Sequence, residues 1–274
     1  MLRSHFFMVG FLLALTVLTI TFVAPAFVQF DPVKMSLREK LLAPQWFANG
    51  FGGHILGTDQ MGRDVLTRLL VGGTSSFLIA FTAVACQLVL GVVLGIMAGY
   101  FGGWVDSLIM RICDIVLAIP DIVLAIALTA ILGPSLFNLI LVLTLASFVR
   151  YCRVTRNEVM VVKKQEFVQA SRVMGASGWH IMFTQIFPNV TTSLIIISSG
   201  RVGHAILVEA ALSFLNMGIP PPTPSWGNMI ADGRSYLAIC PWLVFAPGIA
   251  LMLTVLAFNF FGDGLRDVLD PKRV

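Results

Sequence analysis

The amino-acid sequence predicts an all-α integral membrane protein with about six transmembrane helices. Hydrophobic residues make up 57% of the 274-residue chain, charged residues make up only 12%, and the mean hydropathy is +0.90. An ordinary soluble domain carries about 25% charged residues, so this chain has too few to cover a folded surface in water. The composition therefore excludes a soluble globule, a disordered chain and a collagen-like fibre.

Long stretches without Asp, Glu, Lys or Arg locate the predicted spans. A spanning helix needs about 20 apolar residues, and the charge-poor stretches of this chain provide room for six such helices. We predict spans near 6–29, 77–100, 107–131, 135–149, 194–217 and 242–262. The fourth is the shortest, and the third is expected to kink at Pro120.

The first span has two interpretations. Arg3 and the small residues Ala24-Pro25-Ala26 resemble the charged start and the cleavage site of a signal peptide. However, the apolar run is about 18 to 24 residues long, whereas the apolar region of a signal peptide has about 7–15. The sequence therefore favours a first helix that is not cleaved.

The distribution of basic residues predicts that both termini lie in the cytoplasm. With the N-terminus inside, the inner regions carry ten Lys and Arg residues and the outer regions carry six, as the positive-inside rule requires. The chain is then a single transmembrane domain, 1–274, with an extracytoplasmic segment at 30–76, a cytoplasmic loop at 150–193 and a cytoplasmic tail at 263–274. The four cysteines share no oxidising compartment, so we expect no disulfide.

Motifs for nucleotide binding and catalysis are missing from the sequence. It has no GxxxxGK[ST] phosphate loop, no HExxH metal motif and no GxSxG nucleophile elbow. The four histidines are scattered without the spacing of metal ligands. We therefore expect no enzyme activity, no bound cofactor and no metal site in this chain. The net charge of +4 fits basic cytoplasmic loops rather than nucleic-acid binding. A transporter, a channel or a structural membrane subunit remains.

The loop 150–193 is too polar to span the membrane and too long for a simple turn. Its composition predicts a short helix from Glu166 to Met174 that Gly175 ends with a left-handed cap. Ser177 is a candidate N-cap for a second helix, which Pro188 is expected to end. The first helix either enters a groove on a partner protein or rests on lipid headgroups.

This loop resembles the EAA loop of ABC importer permeases, in which a coupling helix docks on the ATPase subunit. The matching positions are Gln169-Ala170-Ser171, Gly175, Gln185 and Phe187-Pro188, where Ala170, Gly175 and Pro188 match outright. Gln169 stands where the EAA motif has glutamate, so this position carries no charge. The resemblance implies that these residues couple the chain to an ATPase: Glu166, Gln169, Ala170, Ser171, Gly175, Ala176 and Pro188.

Three further segments resemble the dipeptide, oligopeptide and nickel permeases, in order and spacing across nearly the whole chain. They are LGTDQMGRDVLTRLLVGG at 56–73, LVEAALSFLNMGIPPPTPSWGNMI at 207–230 and FNFFGDGLRDVLDPK at 258–272. The resemblance is to the second permease subunit of these systems. It implies a type I ABC importer permease fold, a homologous partner permease, two ABC ATPase subunits that use ATP and Mg²⁺, and an extracytoplasmic solute-binding protein.

Ionisable residues within the predicted spans are costly in lipid and require a reason. Arg201, His204 and Glu209 spread over two turns of the fifth span. They either line a polar path for a solute or pair with other helices, of this bundle or of a second permease. Arg111 and Asp114 in the third span are three residues apart and are predicted to neutralise each other.

Two spacing patterns predict local packing. Gly91, Gly95 and Gly99 recur at every fourth residue of the second span, which lets another helix approach closely. In the outer segment, Asp59, Arg63, Asp64 and Arg68 are predicted to form a local ion network, in which Asp64 and Arg68 are four residues apart. These charges either hold the loop together, or the segment contacts the partner permease or a binding protein.

The function that the sequence and the resemblance together predict is that of a permease subunit in an ATP-driven importer of the bacterial inner membrane. With its partner it would form the translocation path for di- and oligopeptides. The same machine importing nickel or a metal–chelator complex is the alternative cargo. An ion-coupled secondary transporter or a channel is the alternative class, which inverted repeats would support.

Overall fold

The computed structural model describes residues 2–28, 30–45 and 53–269, with side chains from Phe7 onward. The last five residues of the predicted tail, the side chain of Arg3 and the end of the first predicted span at residue 29 lie outside the described residues. The described part is helical and contains no β-strand. Its helices are α1 (Leu2–Val23), α2 (Val65–Phe101), α3 (Gly103–Leu117), α4 (Asp121–Leu132), α5 (Leu136–Ser147), α6 (Val149–Val162), α7 (Glu166–Val173), α8 (Gly178–Ile181), α9 (Phe187–Phe214), α10 (Trp226–Gly233) and α11 (Trp242–Leu269).

Four of the described helices are long and apolar enough to cross a membrane, and two bent pairs bring the number of candidate spans to six. The four are Phe7–Phe27, Val65–Phe101, Gly178–Phe214 and Trp242–Leu269. The pairs are α3 with α4, bent by 91°, and α5 with α6, bent by 44°. The prediction of an all-α protein with about six spans is therefore confirmed. The predicted kink in the third span is also confirmed, because the break lies at 118–120 and α4 starts directly after Pro120.

The second span begins twelve residues earlier than predicted. Asp64 caps α2 by accepting hydrogen bonds from the backbone N–H and the hydroxyl of Thr67, both at 2.7 Å. Charged residues near this end suggested a loop in the sequence, but they are paired in the structure and allow the helix to start at Val65. With 37 residues, α2 is about 55 Å long.

The fourth span extends beyond its predicted end at 149, since α6 continues to Val162. The arginines of α6 suggested a cytoplasmic loop, but they pair with acidic residues of α3. Arg153 donates to Asp114 at 2.5 Å, and Arg156 donates to Asp106 at 2.6 Å. The predicted pairing of Arg111 with Asp114 is therefore wrong in this structure, because a residue on another helix occupies the Asp114 carboxylate.

The fifth span is continuous with the second helix of the predicted loop. Pro188 does not end that helix, contrary to the prediction, and lies in the first turn of α9. A π-helical turn at Met182–Ile186 precedes it and changes the hydrogen-bond register of the backbone. Proline is tolerated in the first turn after such a change, where its missing N–H costs little.

The glycine stripe of α2 packs against α6, as predicted. A Cβ added to Gly91 would lie 2.4 Å from the Cβ of Tyr151, and one added to Gly95 would lie 2.6 Å from the Cβ of Thr155. Gly99 meets Val159 in the same way, at 2.8 Å. These contacts fix α6, and the loop that follows it, against the C-terminal half of α2.

The first and last helices are antiparallel neighbours. Gly264 of α11 packs on Phe7 of α1, whereas the far end of α1 accepts a hydrogen bond from the Thr74 hydroxyl at Thr21. An apolar cavity of about 770 Å³ is lined by Phe101, Trp179 and Leu265 together. The start of α1 and the end of α11 therefore lie at the face of the bundle that carries α7. We call this the α7 face and the opposite one the α10 face.

Candidate functional site

We call the segment 163–186 the α7 loop. It forms the helix, glycine turn and helix that the sequence predicts. After α7, Gly175 adopts a positive φ of 84°, and the N–H of Ala176 donates to the carbonyl of Ser171 at 3.0 Å. The hydroxyl of Ser177 then caps α8 by accepting from the N–H of His180 at 3.2 Å. Glycine is favoured here because most side chains with a Cβ rarely adopt this backbone conformation.

Large apolar side chains are exposed at the tip of this loop. Val173 is 88% exposed and Met174 is 79% exposed, and Trp179 and Phe183 form an exposed stack with ring centroids 6.2 Å apart. On the other side of α7, Val168 is fully buried and anchors the helix to the bundle. The loop therefore offers an uncovered apolar surface on a firmly attached helix, which is suited to receive a partner.

Six of the seven residues predicted to couple to an ATPase lie together on this loop. Glu166, Gln169 and Ala170 are exposed, and the side-chain amide of Gln169 donates to the carbonyl of Lys163 at 3.1 Å. The hydroxyl of Ser171 instead accepts from Gln185 at 2.5 Å and ties α7 to the π-helical turn. In the turn after α7, Gly175 is exposed and Ala176 is half-buried. The seventh residue, Pro188, lies apart from the others and is exposed on α9.

An aromatic ring beneath α7 makes contacts that the sequence did not indicate. Tyr100, in the last turn of α2, lies under the ammonium group of Lys163 and the guanidinium group of Arg172. Burial, followed by the nearby charge of Arg172, lowers the pKa of Lys163. Tyr100 and Lys163 are 63 positions apart in the chain, so no local spacing pattern could reveal the contact.

The three predicted path residues on α9 lie in two different surroundings. His204 is 34% exposed, and its Nε2 lies 3.2 Å from the carboxylate of Asp121. Asp121 is the first residue of α4, directly after the 91° bend between α3 and α4. Arg201 is buried one turn away, and its Nε has no hydrogen-bond partner in the described part of the chain. Glu209 is fully buried and accepts hydrogen bonds from Ser76 and Ser213. Arg201 and His204 are thus grouped near the bend, and Glu209 links α9 to α2.

A buried cluster of charges stabilises the α10 face around the start of α2. Asp59 accepts a hydrogen bond from Nε of Arg63 at 2.7 Å, and Nη1 of Arg68 lies 3.1 Å from the same carboxylate. Both arginines also lie 3.5 Å from the Asp232 carboxylate of α10. We call these four residues the Asp59 cluster. Burial raises the pKa of the Asp232 carboxyl, and the positive charge of Arg63 opposes the shift.

The predicted ion network forms through Asp59, Arg63 and Arg68, but its predicted pair between Asp64 and Arg68 is wrong. Asp64 caps α2 and accepts a hydrogen bond at 2.9 Å from Nδ1 of His54, if that nitrogen carries the proton. Arg68 turns to Asp59 instead. Spacing along a helix indicated the pair, but Asp64 precedes the first helical turn, where its oxygens serve the free backbone N–H groups.

Comparisons with known proteins agree with this architecture. A family model described as "Binding-protein-dependent transport system inner membrane component" matches residues 91–274. The chain is 47% identical over 271 residues to the dipeptide transport system permease protein DppC of Escherichia coli K12, covering 98% of this chain and 90% of that protein.

Other relatives are nearly as similar. The chain is 41% identical to a di/tripeptide transport system permease protein of Pseudomonas aeruginosa, covering 96% of this chain and 87% of that one. It is 42% identical to the glutathione transport system permease protein GsiD of Pectobacterium atrosepticum, covering 80% and 73%. Among solved structures, a chain of the inward-facing MetNI methionine ABC transporter matches with a TM-score of 0.59 at 19% identity, covering 75% of this chain and 97% of that chain.

Proposed function

This chain belongs to the family of binding-protein-dependent transport system inner membrane components, and on that premise we propose that it is the permease subunit of an ATP-driven importer of di- and oligopeptides. It is a multi-pass inner-membrane protein with the fold of type I ABC importer permeases. The observation that carries the proposal is the identity of 41% and 47%, over 96% and 98% of this chain, to permeases named for di/tripeptides and dipeptides.

Peptides are favoured over nickel or a metal–chelator complex as the cargo. The relatives described above are named for dipeptides, di/tripeptides and glutathione. Among the described residues no group of three His, Cys, Asp or Glu side chains could hold a metal ion. An ion-coupled secondary transporter or a channel is not favoured, because the matching family is that of binding-protein-dependent transport.

The proposed machine contains a homologous second permease subunit, two ABC ATPase subunits and an extracytoplasmic solute-binding protein. The partners would hydrolyse ATP with Mg²⁺, since this chain has no nucleotide-binding motif. The exposed apolar tip of the α7 loop supports docking of an ATPase at the α7 face. That face is then cytoplasmic, and the α10 face receives the solute-binding protein.

A polar path past the bend at Pro120 is part of the proposal. His204 and Asp121 are both partly exposed beside Arg201, which places both signs of charge at one position along α9. A peptide with free ends carries an ammonium and a carboxylate group, so a path with both signs of charge offers a partner to each end. Glu209 is fully buried, and we assign it to packing between α9 and α2.

Thiol accessibility tests the path. In the assembled transporter with Cys86 replaced by Ser, His204→Cys should react with a hydrophilic maleimide. Ala205→Cys is the matched control, since Ala205 is buried one position away on the same helix. Equal labelling of both variants, or labelling of Ala205→Cys alone, would remove His204 from the path.

A pull-down tests the assembly. The tagged chain is purified from membranes in mild detergent, and its partners are identified by mass spectrometry. We expect a second multi-span permease and P-loop ATPases, together with a binding protein that narrows the cargo. Recovery of the chain alone, or only as copies of itself, would favour the ion-coupled alternative.

A further inference from the structure

Tyr100 joins three segments of the α7 loop to the end of α2. The ammonium nitrogen of Lys163, just before α7, lies 5.4 Å from the ring centroid, and the guanidinium carbon of Arg172, within α7, lies 5.9 Å from it. Gly178, just after the turn, packs so closely that an added Cβ would lie 3.0 Å from the Tyr100 hydroxyl. The segments before, within and after α7 thus converge on one side chain.

The chemistry of this contact explains why two cations lie together. Lys163 and Arg172 repel each other, and the half-buried ammonium group also loses water. The ring face of Tyr100 attracts both groups, with each cation–π contact contributing roughly 0.5–1 kcal/mol. Lys163 also donates a hydrogen bond to the carbonyl of Tyr100, where the C-terminal end of α2 carries partial negative charge. The end of α2 is therefore a specific receptor for the base of α7.

The position of Tyr100 in the fold connects this receptor to the opposite face. α2 is one uninterrupted helix, and at its other end Asp64 caps the first turn, next to the Asp59 cluster. Along the helix, the glycine stripe holds α6 against α2. A displacement of α7 can therefore reach α2 by the α6 packing, by the buried apolar cluster that Val168 of α7 shares with Val92 of α2, and by the Tyr100 contact. The Tyr100 contact joins α7 and both of its flanking segments to the end of α2.

We propose that Tyr100 is the positioning residue that transmits movement of the coupling helix α7 to α2. The inference rests on the proposed function and deepens it by naming the residue on which α7 acts. Without the ring, the ATPases would still dock on the exposed tip of the α7 loop, but less of their movement would be transmitted to α2. ATP hydrolysis would then continue with little peptide uptake.

The test compares Tyr100→Ala with Tyr100→Phe in the complete transporter in proteoliposomes. The readout is the amount of labelled dipeptide taken up per ATP hydrolysed. We expect this ratio to fall about fivefold or more in Tyr100→Ala, the lower end of typical coupling between sites. Tyr100→Phe keeps the ring face and should stay within about twofold of the wild type. Trp104→Ala is the matched control, since Trp104 is an exposed aromatic residue near the same end of α2.

An unchanged ratio in Tyr100→Ala would overturn the proposal. Equal defects in Tyr100→Ala and Tyr100→Phe would also overturn it, because they would assign the effect to the hydroxyl. Loss of ATPase co-purification in Tyr100→Ala would show a role in docking instead. If Tyr100→Ala fails to insert, Arg172→Gln keeps the ring and removes a cation, and the same fall in the ratio is expected.

A second readout separates this proposal from the proposed function. Spin labels on Val173 of α7 and on Leu78 of α2, both exposed, report the ATP-driven change in distance between the two helices. We expect Tyr100→Ala to alter this change while Trp104→Ala leaves it as in the wild type. That result would support the proposal even if dipeptides were not the cargo, whereas an unaltered change would contradict it.

Discussion

Gly95 of α2 lies so close to Thr155 of α6 that a Cβ added to the glycine would be 2.6 Å from the Cβ of the threonine. The carbonyl of Cys152 is equally close to that position. Backbone lines one side of the contact, so a methyl group fits only if the two helices move apart. The contact determines how closely α6 packs on α2.

Gly95→Ala should therefore destabilise the protein by about 1–3 kcal/mol, as overpacking of a tight contact does. Thermal unfolding of the purified protein in detergent measures the effect. Gly248→Ala on α11 is the control, because no atom lies within 4 Å of an added Cβ there. Alanine also has a higher helix propensity than glycine, so this variant should not lose stability. An unfolding temperature of Gly95→Ala equal to that of the control would contradict the packing.

Replacing Glu209 by glutamine should change the stability of the protein little, whereas replacing it by leucine should destabilise the protein. Its carboxylate accepts from the hydroxyls of Ser76 at 3.0 Å and Ser213 at 2.7 Å in a fully buried position. Leucine leaves these hydroxyls without that acceptor, which costs about 1–3 kcal/mol for each one left unpaired. Glutamine keeps an oxygen and the shape. Thermal unfolding of Glu209→Leu and Glu209→Gln compares the two, and equal stabilities would show that the hydrogen bonds contribute little.

Asp59 should contribute far more than Asp232 to the stability that the Asp59 cluster provides. Asp59 pairs with two buried arginines at 3.1 Å or less, whereas the Asp232 side chain is 42% exposed and 3.5 Å from them. Asp59→Asn leaves buried positive charge without its nearest partner, and removal of one partner of a buried pair typically costs about 3–5 kcal/mol.

Asp232→Asn is the matched variant and should cost less than about 1 kcal/mol, as exposed pairs do. Protease resistance and thermal unfolding in detergent measure both variants. A larger loss of stability in Asp232→Asn than in Asp59→Asn would contradict the central role of Asp59 in the cluster.

Gly175 provides a test of the proposed docking of an ATPase on the α7 loop. Gly175→Asp and Gly175→Asn both accept a positive φ better than other side chains do, and nothing lies within 4 Å of an added Cβ. The two variants differ in charge, and a carboxylate next to the exposed apolar tip would have to lose water on docking. We expect Gly175→Asp to insert normally but to lose uptake and ATPase co-purification.

Gly175→Asn should keep most of both activities. Quantitative co-purification of the ATPases, measured beside dipeptide uptake, separates docking from insertion. Normal uptake and normal co-purification in Gly175→Asp would remove this loop from the ATPase interface.

The sequence predicted those parts of the fold that follow from composition and local spacing. Gaps between charged residues located the spans, Pro120 indicated the bend, and Gly175 and Ser177 indicated the turn after α7. These features depend on neighbouring residues or on the lipid solvent, so they can be read without knowledge of the tertiary structure.

Features that depend on distant partners could not be read in this way. Arg156 indicated a cytoplasmic loop because its partner Asp106 is 50 positions away on another helix. The early start of α2 was missed because its charges are neutralised in the Asp59 cluster. Pro188 indicated a helix end because the π-helical turn that accommodates it has no sequence signature. The contact of Tyr100 with Lys163 belongs to the same class, since it forms only when α6 has packed on α2.

The central claim is that this chain is the peptide permease of an ATP-driven machine. Uptake of a labelled dipeptide into proteoliposomes tests it most directly, with the purified complex and with the chain alone, in the presence and absence of ATP and of an ion gradient. We expect uptake only by the complete complex and only with ATP. Uptake by the chain alone, driven by the gradient without ATP, would contradict it.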